Sequence, residues 1–203
     1  MLDAALLEAE VVGADLTDAS VRAGSWTRCR FVSCTFADAD LRELVTDGCT
    51  FDDCDFTRAD LAGARHRLGA FRSCVFRGAT LAGSTWSGCS VIGSSFVDAR
   101  MRPITFTDCD LTLVALGGVD LRAVDLSGLR MREASLLGAD LRKAVLRDTD
   151  LTGARLAGAR FADADLRGAR IDANGWVQAA LAGATVDAHQ GLAFAAAHGL
   201  RID

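Results

Sequence analysis

The sequence predicts an all-β solenoid built from a five-residue repeat and ended by a short α-helix. Three observations carry this reading: large apolar residues at every fifth position, small residues two positions before them, and polar or turn-forming residues between. From Val11 to Val186 the large series has 36 positions, and 34 are apolar, among them Leu16, Trp26, Phe31, Phe36, Phe51, Phe56, Phe161, Leu166, Ile171, Trp176 and Leu181. Thr46 and His66 are the exceptions. All three Trp and nine of the ten Phe stand in this register. Neither the 3.6-residue period of a helix nor the two-residue alternation of a strand reproduces it.

The small series runs through Ala9, Ala14, Ala19, Gly24 and Ala39 to Ala134, Ala139, Ala144 and Ala164, and it takes up all seven cysteines: Cys29, Cys34, Cys49, Cys54, Cys74, Cys89 and Cys109. Cys reads here as a small buried hydrophobe interchangeable with Ala. No CxxC pair suggests zinc or a disulfide. Between the two series lies a polar residue, often Asp, and after them come turn residues, as in Ala139-Asp140-Leu141-Arg142-Lys143. Such a unit is a short extended face followed by a tight turn. It cannot bury its apolar side alone, so units must stack into a rod with a continuous core. Phe36, Phe56, Phe76 and Phe96 stand twenty apart, as do Phe31, Phe51 and Phe71, which predicts four units per coil. The 36 units then give nine coils, a rod of roughly 40 Å at the spacing of paired strands. The register never slips, so no loop projects from the coils and any function lies on the faces or at the ends.

The Ala-Asp-Leu-x-x unit resembles that of the pentapeptide repeat proteins over almost the whole chain. The resemblance implies a right-handed quadrilateral β-helix over residues 1–186, with residues 1–10 as an N-terminal cap. Pro103, the only proline, follows core residue Met101 by two. It removes a donor and fixes φ, so the ladder should kink or shift phase there. From Val114 to Leu129 the small slot takes Val114, Val119, Val124 and Leu129, a change of packing. In the tail, residues 187–203, Asp187 can cap a helix, Gly199 can stop it, and the span between is Ala-rich. That helix is apolar nearly all round and should be buried. An open solenoid end also exposes strand groups and core side chains. Two chains meeting tail to tail through Trp176, Leu181, Leu192, Phe194 and Leu200 would cover both, a homodimer; a cap on a monomer is the simpler arrangement.

The proline segment, Ala115 to Arg122, Arg132 to Leu136, Asp140 to Lys143, and the tail from Ala193 to Leu200 are similar to the mycobacterial fluoroquinolone-resistance branch of that family. The resemblance implies a dimeric rod that imitates B-form DNA and binds DNA gyrase, protecting it from fluoroquinolones. A net charge of −5 and a pI near 5.2 argue against direct nucleic-acid binding, which depends on Lys and Arg at the phosphates, and suit a basic partner. The candidate gyrase-binding acids are Asp108, Asp110, Asp120, Asp140, Asp148 and Asp150, although an interspersed column of Arg102, Arg122 and Arg142 breaks a uniformly negative face. Asp is also what the turns require.

No catalytic, cofactor or metal constellation is expected. His66 takes a core slot, His189 and His198 lie in the tail, and no H-E-x-x-H, P-loop or G-x-G-x-x-G occurs. No small-molecule substrate, membrane span or secretory signal is read, so a cytoplasmic non-enzyme is expected. Two rival readings remain: self-protection of gyrase against a natural-product or peptide inhibitor, and a scaffold for some unrelated protein.

Overall fold

The computed structural model describes residues 4–201 and forms the expected right-handed quadrilateral β-helix, with two short helices at its C-terminal end. Ten short strands precede the helices: β1 (Ala5–Leu7), β2 (Glu10–Val12), β3 (Ser25–Thr27), β4 (Arg30–Val32), β5 (Val45–Asp47), β6 (Thr50–Asp52), β7 (Arg65–Arg67), β8 (Ala70–Arg72), β9 (Ser84–Ser87) and β10 (Ile104–Thr107). They make two parallel sheets, ordered β1-β3-β5-β7-β9-β10 and β2-β4-β6-β8. Paired strands stand twenty residues apart, as in Trp26 with Thr46 and Phe31 with Phe51. Single bridges continue this register elsewhere, from Asp15 with Thr35 to Asp165 with Thr185. The four sides are numbered here by their core residue: side 1 carries Trp26, side 2 Phe31, side 3 Phe36 and side 4 Leu41.

Two expected boundaries are corrected. Residues 5–12 are not a separate cap, because β1 and β2 pair in register with β3 and β4 and form the first coil; residues 1–3 of that predicted cap lie outside the described residues. Nor does the solenoid run unbroken to residue 186. Helix α1 (Ala173–Gln178) replaces one side of the last coil, after which Ala180 and Thr185 resume the ladder.

Stacking twenty residues apart brings like side chains face to face inside. On side 2 the rings of Phe31 and Phe51 lie 5.0 Å apart and those of Phe51 and Phe71 4.5 Å apart; on side 3 Phe36, Phe56, Phe76 and Phe96 repeat at 4.9, 4.8 and 4.6 Å, nearly parallel. Such offset ring pairs stabilise beyond the area they bury. Nearly every corner turns on a residue with positive φ, for example Asp38, Asp108 and Asp148 at 58°, 54° and 57°; the corner held by Pro103 does not. Asp, Asn and Gly tolerate that region best, which explains the polar corner composition.

The sides are of two kinds. Tight turns close with a bond from the small residue back to the core residue, as in Ala39 N–H to the Phe36 carbonyl at 3.1 Å. Strand sides are wider, and all seven cysteines follow strands. The thiols donate to the core carbonyl of the coil before: Cys49 to Trp26 at 3.3 Å, Cys74 to Phe51 at 3.4 Å and Cys109 to Trp86 at 3.3 Å. The Ser94 and Thr149 hydroxyls make the same bond to Phe71 and Leu126, both at 2.8 Å. Cys is therefore not simply Ala; it fills a wider corner and satisfies a buried carbonyl.

The ladder opens once. Through Val91 and Phe96 the bonds to the next coil are intact, and they resume at Leu111, whose N–H meets the Arg130 carbonyl at 2.7 Å. In between, on sides 4 and 1, the bonds that the repeat would place from Met101 to Asp120, Phe106 to Asp125 and Asp108 to Ser127 are not formed, and the bridges of Arg100 with Asp120 and Thr105 with Asp125 are missing among the described residues. Pro103, behind a cis peptide bond, stands in the middle of this gap without an N–H to offer. The seam is open on two adjacent sides and closed on the other two.

At the C-terminal end, Asp172 caps α1 by accepting from Gly175 N–H, and Trp176 is buried against the last full coil. Helix α2 (Ala188–Ala197) starts in a capping box of Asp187 and Gln190. The buried Gln190 amide donates to the Leu166 and Ala169 carbonyls at 2.6 and 2.8 Å, fixing the helix over the end of the rod. The expectation of full burial fails within one chain. Ala193 and Ala197 face the core, whereas Leu192, Phe194 and Leu200 are 51%, 39% and 63% exposed.

Candidate functional site

With a coil of twenty residues and four sides, positions ten apart lie on opposite sides of the rod. The six candidate acids therefore do not share one face. Asp120 and Asp140 belong to side 4; Asp110 and Asp150 belong to side 2, with Asp108 and Asp148 on the corner leading into it.

On side 4 the carboxylates are consumed by arginines. Asp120 accepts from Arg122 at 2.9 and 2.7 Å and from Arg102 at 3.2 Å, and Asp140 accepts from Arg142 at 2.8 Å and Arg160 at 2.9 Å. The Arg122 guanidinium holds the Asp120 carboxyl well below the usual carboxylate range, and Arg142 does the same for Asp140. Asp140 is only 6% exposed. Beside them a groove of about 640 Å³ is lined by Arg102, Arg122, Arg142, Lys143 and Asp163. This stretch of side 4 presents more cation than anion, which corrects its assignment to an acidic face. The cause is local: Asp before a core residue and Arg after it both point outward from one unit and pair.

Side 2 is different. Asp110 accepts from Thr112 N–H and from Arg130, both at 3.0 Å, and Asp150 binds the Thr152 hydroxyl at 2.6 Å with Arg170 and Arg132 only at 3.7 and 3.8 Å. Asp108 and Asp148 are exposed, stand two coils apart at one corner, and form no ion pair among the described residues. Beneath Asp148 sits Gly168 at φ 74°, where any Cβ would collide with the Asp148 carboxylate. Asp125, not singled out by the sequence, is also exposed; it caps its own turn through Ser127 N–H at 2.9 Å and has no arginine partner among the described residues. Its position across the seam from β10 was the signal available.

Of the five candidate interface residues, Leu192, Phe194 and Leu200 present apolar surface at the end of the rod, Leu181 is half-buried, and Trp176 is buried within its own chain at 2% exposure, its ring edge-on to Phe194 at 6.2 Å. His66 lies in the core. Its Nδ1 is 2.9 Å from the Thr46 hydroxyl, its ring is 4.2 Å from Trp86, and its Nε2 has no hydrogen-bond partner among the described residues. Burial pushes the imidazole down to about 3, so it is neutral. Among the described residues no group of His, Cys, Asp or Glu could hold a metal ion, and no helix is long and apolar enough to cross a membrane.

Comparison with known proteins bears on the fold first. The solved structure of trypsin-treated QnrB1 (R167E), a plasmid-mediated fluoroquinolone resistance protein, superposes with a TM-score of 0.84 over 98% of this chain and 100% of that one, at 22% identity. Full-length QnrB1 gives 0.67 over 97% and 100%, also at 22% identity. In sequence, the pentapeptide repeat protein MfpA of Mycobacterium tuberculosis is 53% identical over 80 residues, which span 39% of this chain and 44% of MfpA, less than half of that relative's length. The Pentapeptide repeats family matches residues 34–65, 74–112, 109–148 and 144–172. With the twenty-residue coil and the five-residue register on which those matches rest, the chain belongs to the pentapeptide repeat family.

Proposed function

We propose that this protein binds DNA gyrase by presenting a surface that imitates duplex DNA, modulating or inhibiting the enzyme and shielding it from fluoroquinolones. The observation that carries the reading is the recurrence of carboxylates two coils apart at the side 2 corner, the exposed Asp108 with Asp148 and, beside them, the arginine-flanked Asp110 with Asp150. Duplex DNA is recognised through a regular array of negative charge, and a protein that replaces it needs ordered carboxylates more than a large total. Likeness to MfpA and to the QnrB1 fold, whose bearer confers fluoroquinolone resistance, supports the same reading. Gyrase as partner places the protein in the cytoplasm, as a binding protein and not an enzyme. The exposed Leu192, Phe194 and Leu200 suit a two-fold contact with a second copy, which would lengthen the rod and present the acidic corner twice.

Titrating the purified protein into a gyrase supercoiling assay, with and without a fluoroquinolone, tests this. Inhibition or rescue from drug-stabilised cleavage at micromolar protein is expected; neither effect would end the gyrase reading. Light scattering should give twice the chain mass, and a monomeric mass would remove the dimer.

A further inference from the structure

We propose that the open seam on side 1, between β10 and the turn carrying Asp125, receives an extended basic segment of the protein partner. The inference rests on the reading that this chain works by binding another protein, and it names where and by what chemistry.

Three observations meet there. First, β10 is paired along one edge only: it joins β9 in full register, while its other edge forms none of the bonds to Asp125 and Ser127 that the repeat would supply. Backbone groups freed from a ladder accept a strand from outside, because unmade hydrogen bonds cost more than they yield to water at a half-dry site. Second, the seam is a cleft of about 280 Å³ lined by Ile104, Thr105, Phe106, Thr107, Asp108, Asp125 and Ser127, with Thr105, Thr107 and both acids exposed at its rim. Third, its charge is unspent. On side 4 the same opening is spanned by the ion pair of Arg102 with Asp120 at 3.2 Å, whereas on side 1 neither Asp108 nor Asp125 meets an arginine among the described residues. An edge that lacks a strand, flanked by two unneutralised carboxylates, fits a segment in which Arg or Lys alternates with small apolar residues. Backbone bonds would supply affinity and the carboxylates orientation.

The test uses the full chain and a short fluorescent peptide alternating Arg and Val, with a Glu-Val peptide as its opposite. Asp108→Asn with Asp125→Asn removes both seam charges. Asn tolerates the positive φ of residue 108 and keeps the side-chain acceptor of residue 125, so folding is preserved. Asp18→Asn with Asp53→Asn changes the net charge equally at two exposed corners away from the seam. The Arg-Val peptide is expected to bind the wild type and this control alike, to bind the seam variant about tenfold more weakly, and to slow amide exchange at Phe106 and Asp108. Equal binding to all three forms, binding of the Glu-Val peptide instead, or unchanged exchange would overturn the proposal. Gyrase titrated against the same proteins separates the two readings: if gyrase binds none of them, the proposed function fails and the peptide alone decides the seam.

Discussion

The two halves of the rod obey one backbone repeat with two different cores. Up to Thr107 on side 1 and Arg72 on side 2, the coils carry named strands, corners with cysteine, and stacked Phe, Trp and His rings. Beyond Thr107, the full coils are tight turns, mostly around Leu with Met131 and Phe161 as exceptions, with Ala, Val, Leu or once Thr149 in the small slot, and only single bridges mark the ladder. The kind of corner follows the side and the small slot and not the core residue alone: Phe36, Phe56, Phe76 and Phe96 on side 3 close tight turns as Leu does, whereas every cysteine follows a strand. The seam lies where side 1 changes from one kind to the other, from β10 to the turn closed by Leu129 N–H on the Leu126 carbonyl at 3.3 Å. That change alone does not open a ladder. Side 2 makes the same transition between β8 and Val91, with the bridge of Ala70 to Ser90 in place. What the open seam has in addition is Pro103, which offers no N–H.

Breaking the aromatic half should have the largest effect. Phe51 touches rings above, below and beside it, and Phe51→Ala should cost about 4 kcal/mol, more than the roughly 3 kcal/mol of Leu141→Ala in the aliphatic half, both read by urea denaturation. Equal costs would contradict the distinction.

Acid sharpens the same contrast. His66 is neutral when folded and titrates near 6.5 when unfolded, so below pH 6.5 the unfolded state takes up the extra proton. Stability should therefore fall with decreasing pH from about 6.5 towards 3, by up to about 1.4 kcal/mol per pH unit, and His66→Phe should flatten that stretch. The Asp carboxyls held low by arginines, Asp120 and Asp140, act in a different window: their contribution is present above pH 4 and lost only as pH falls further, so the two effects separate in an acid titration followed by circular dichroism.

Smaller effects probe the corners. Cys49→Ala should cost about 1.5 kcal/mol, through the lost thiol bond and the space left, while the native protein resists maleimide because burial pushes the Cys49 thiol up to about 11. Gly168→Ala should cost about 1 kcal/mol in backbone strain at positive φ, and more if Asp148 cannot move aside.

The solenoid was legible because its cause is repetitive: each inward slot recurs, so a single misfit such as Thr46 or His66 cannot hide the period. The opposite placement of Asp110 and Asp120 was legible too, since ten residues are half a coil. Helix α1 was missed although Trp176 sat in register. Its signal was Asn174 in a slot otherwise held by small or apolar residues, with Ala173 and Gln178 at corners and Asp172 ready to cap. Neutralisation of Asp120 and Asp140 was only half visible, because pairing depends on side chains of one unit bending towards each other along the outer surface. Pro103 marked the seam, but which two sides it opens required the ladder itself.

The most direct test of mimicry is competition. With gyrase saturated by a labelled DNA duplex, adding this protein should release the DNA, and raising the DNA concentration should restore it in proportion. A ternary complex of gyrase, DNA and this protein, or DNA that stays bound at saturating protein, would contradict the account.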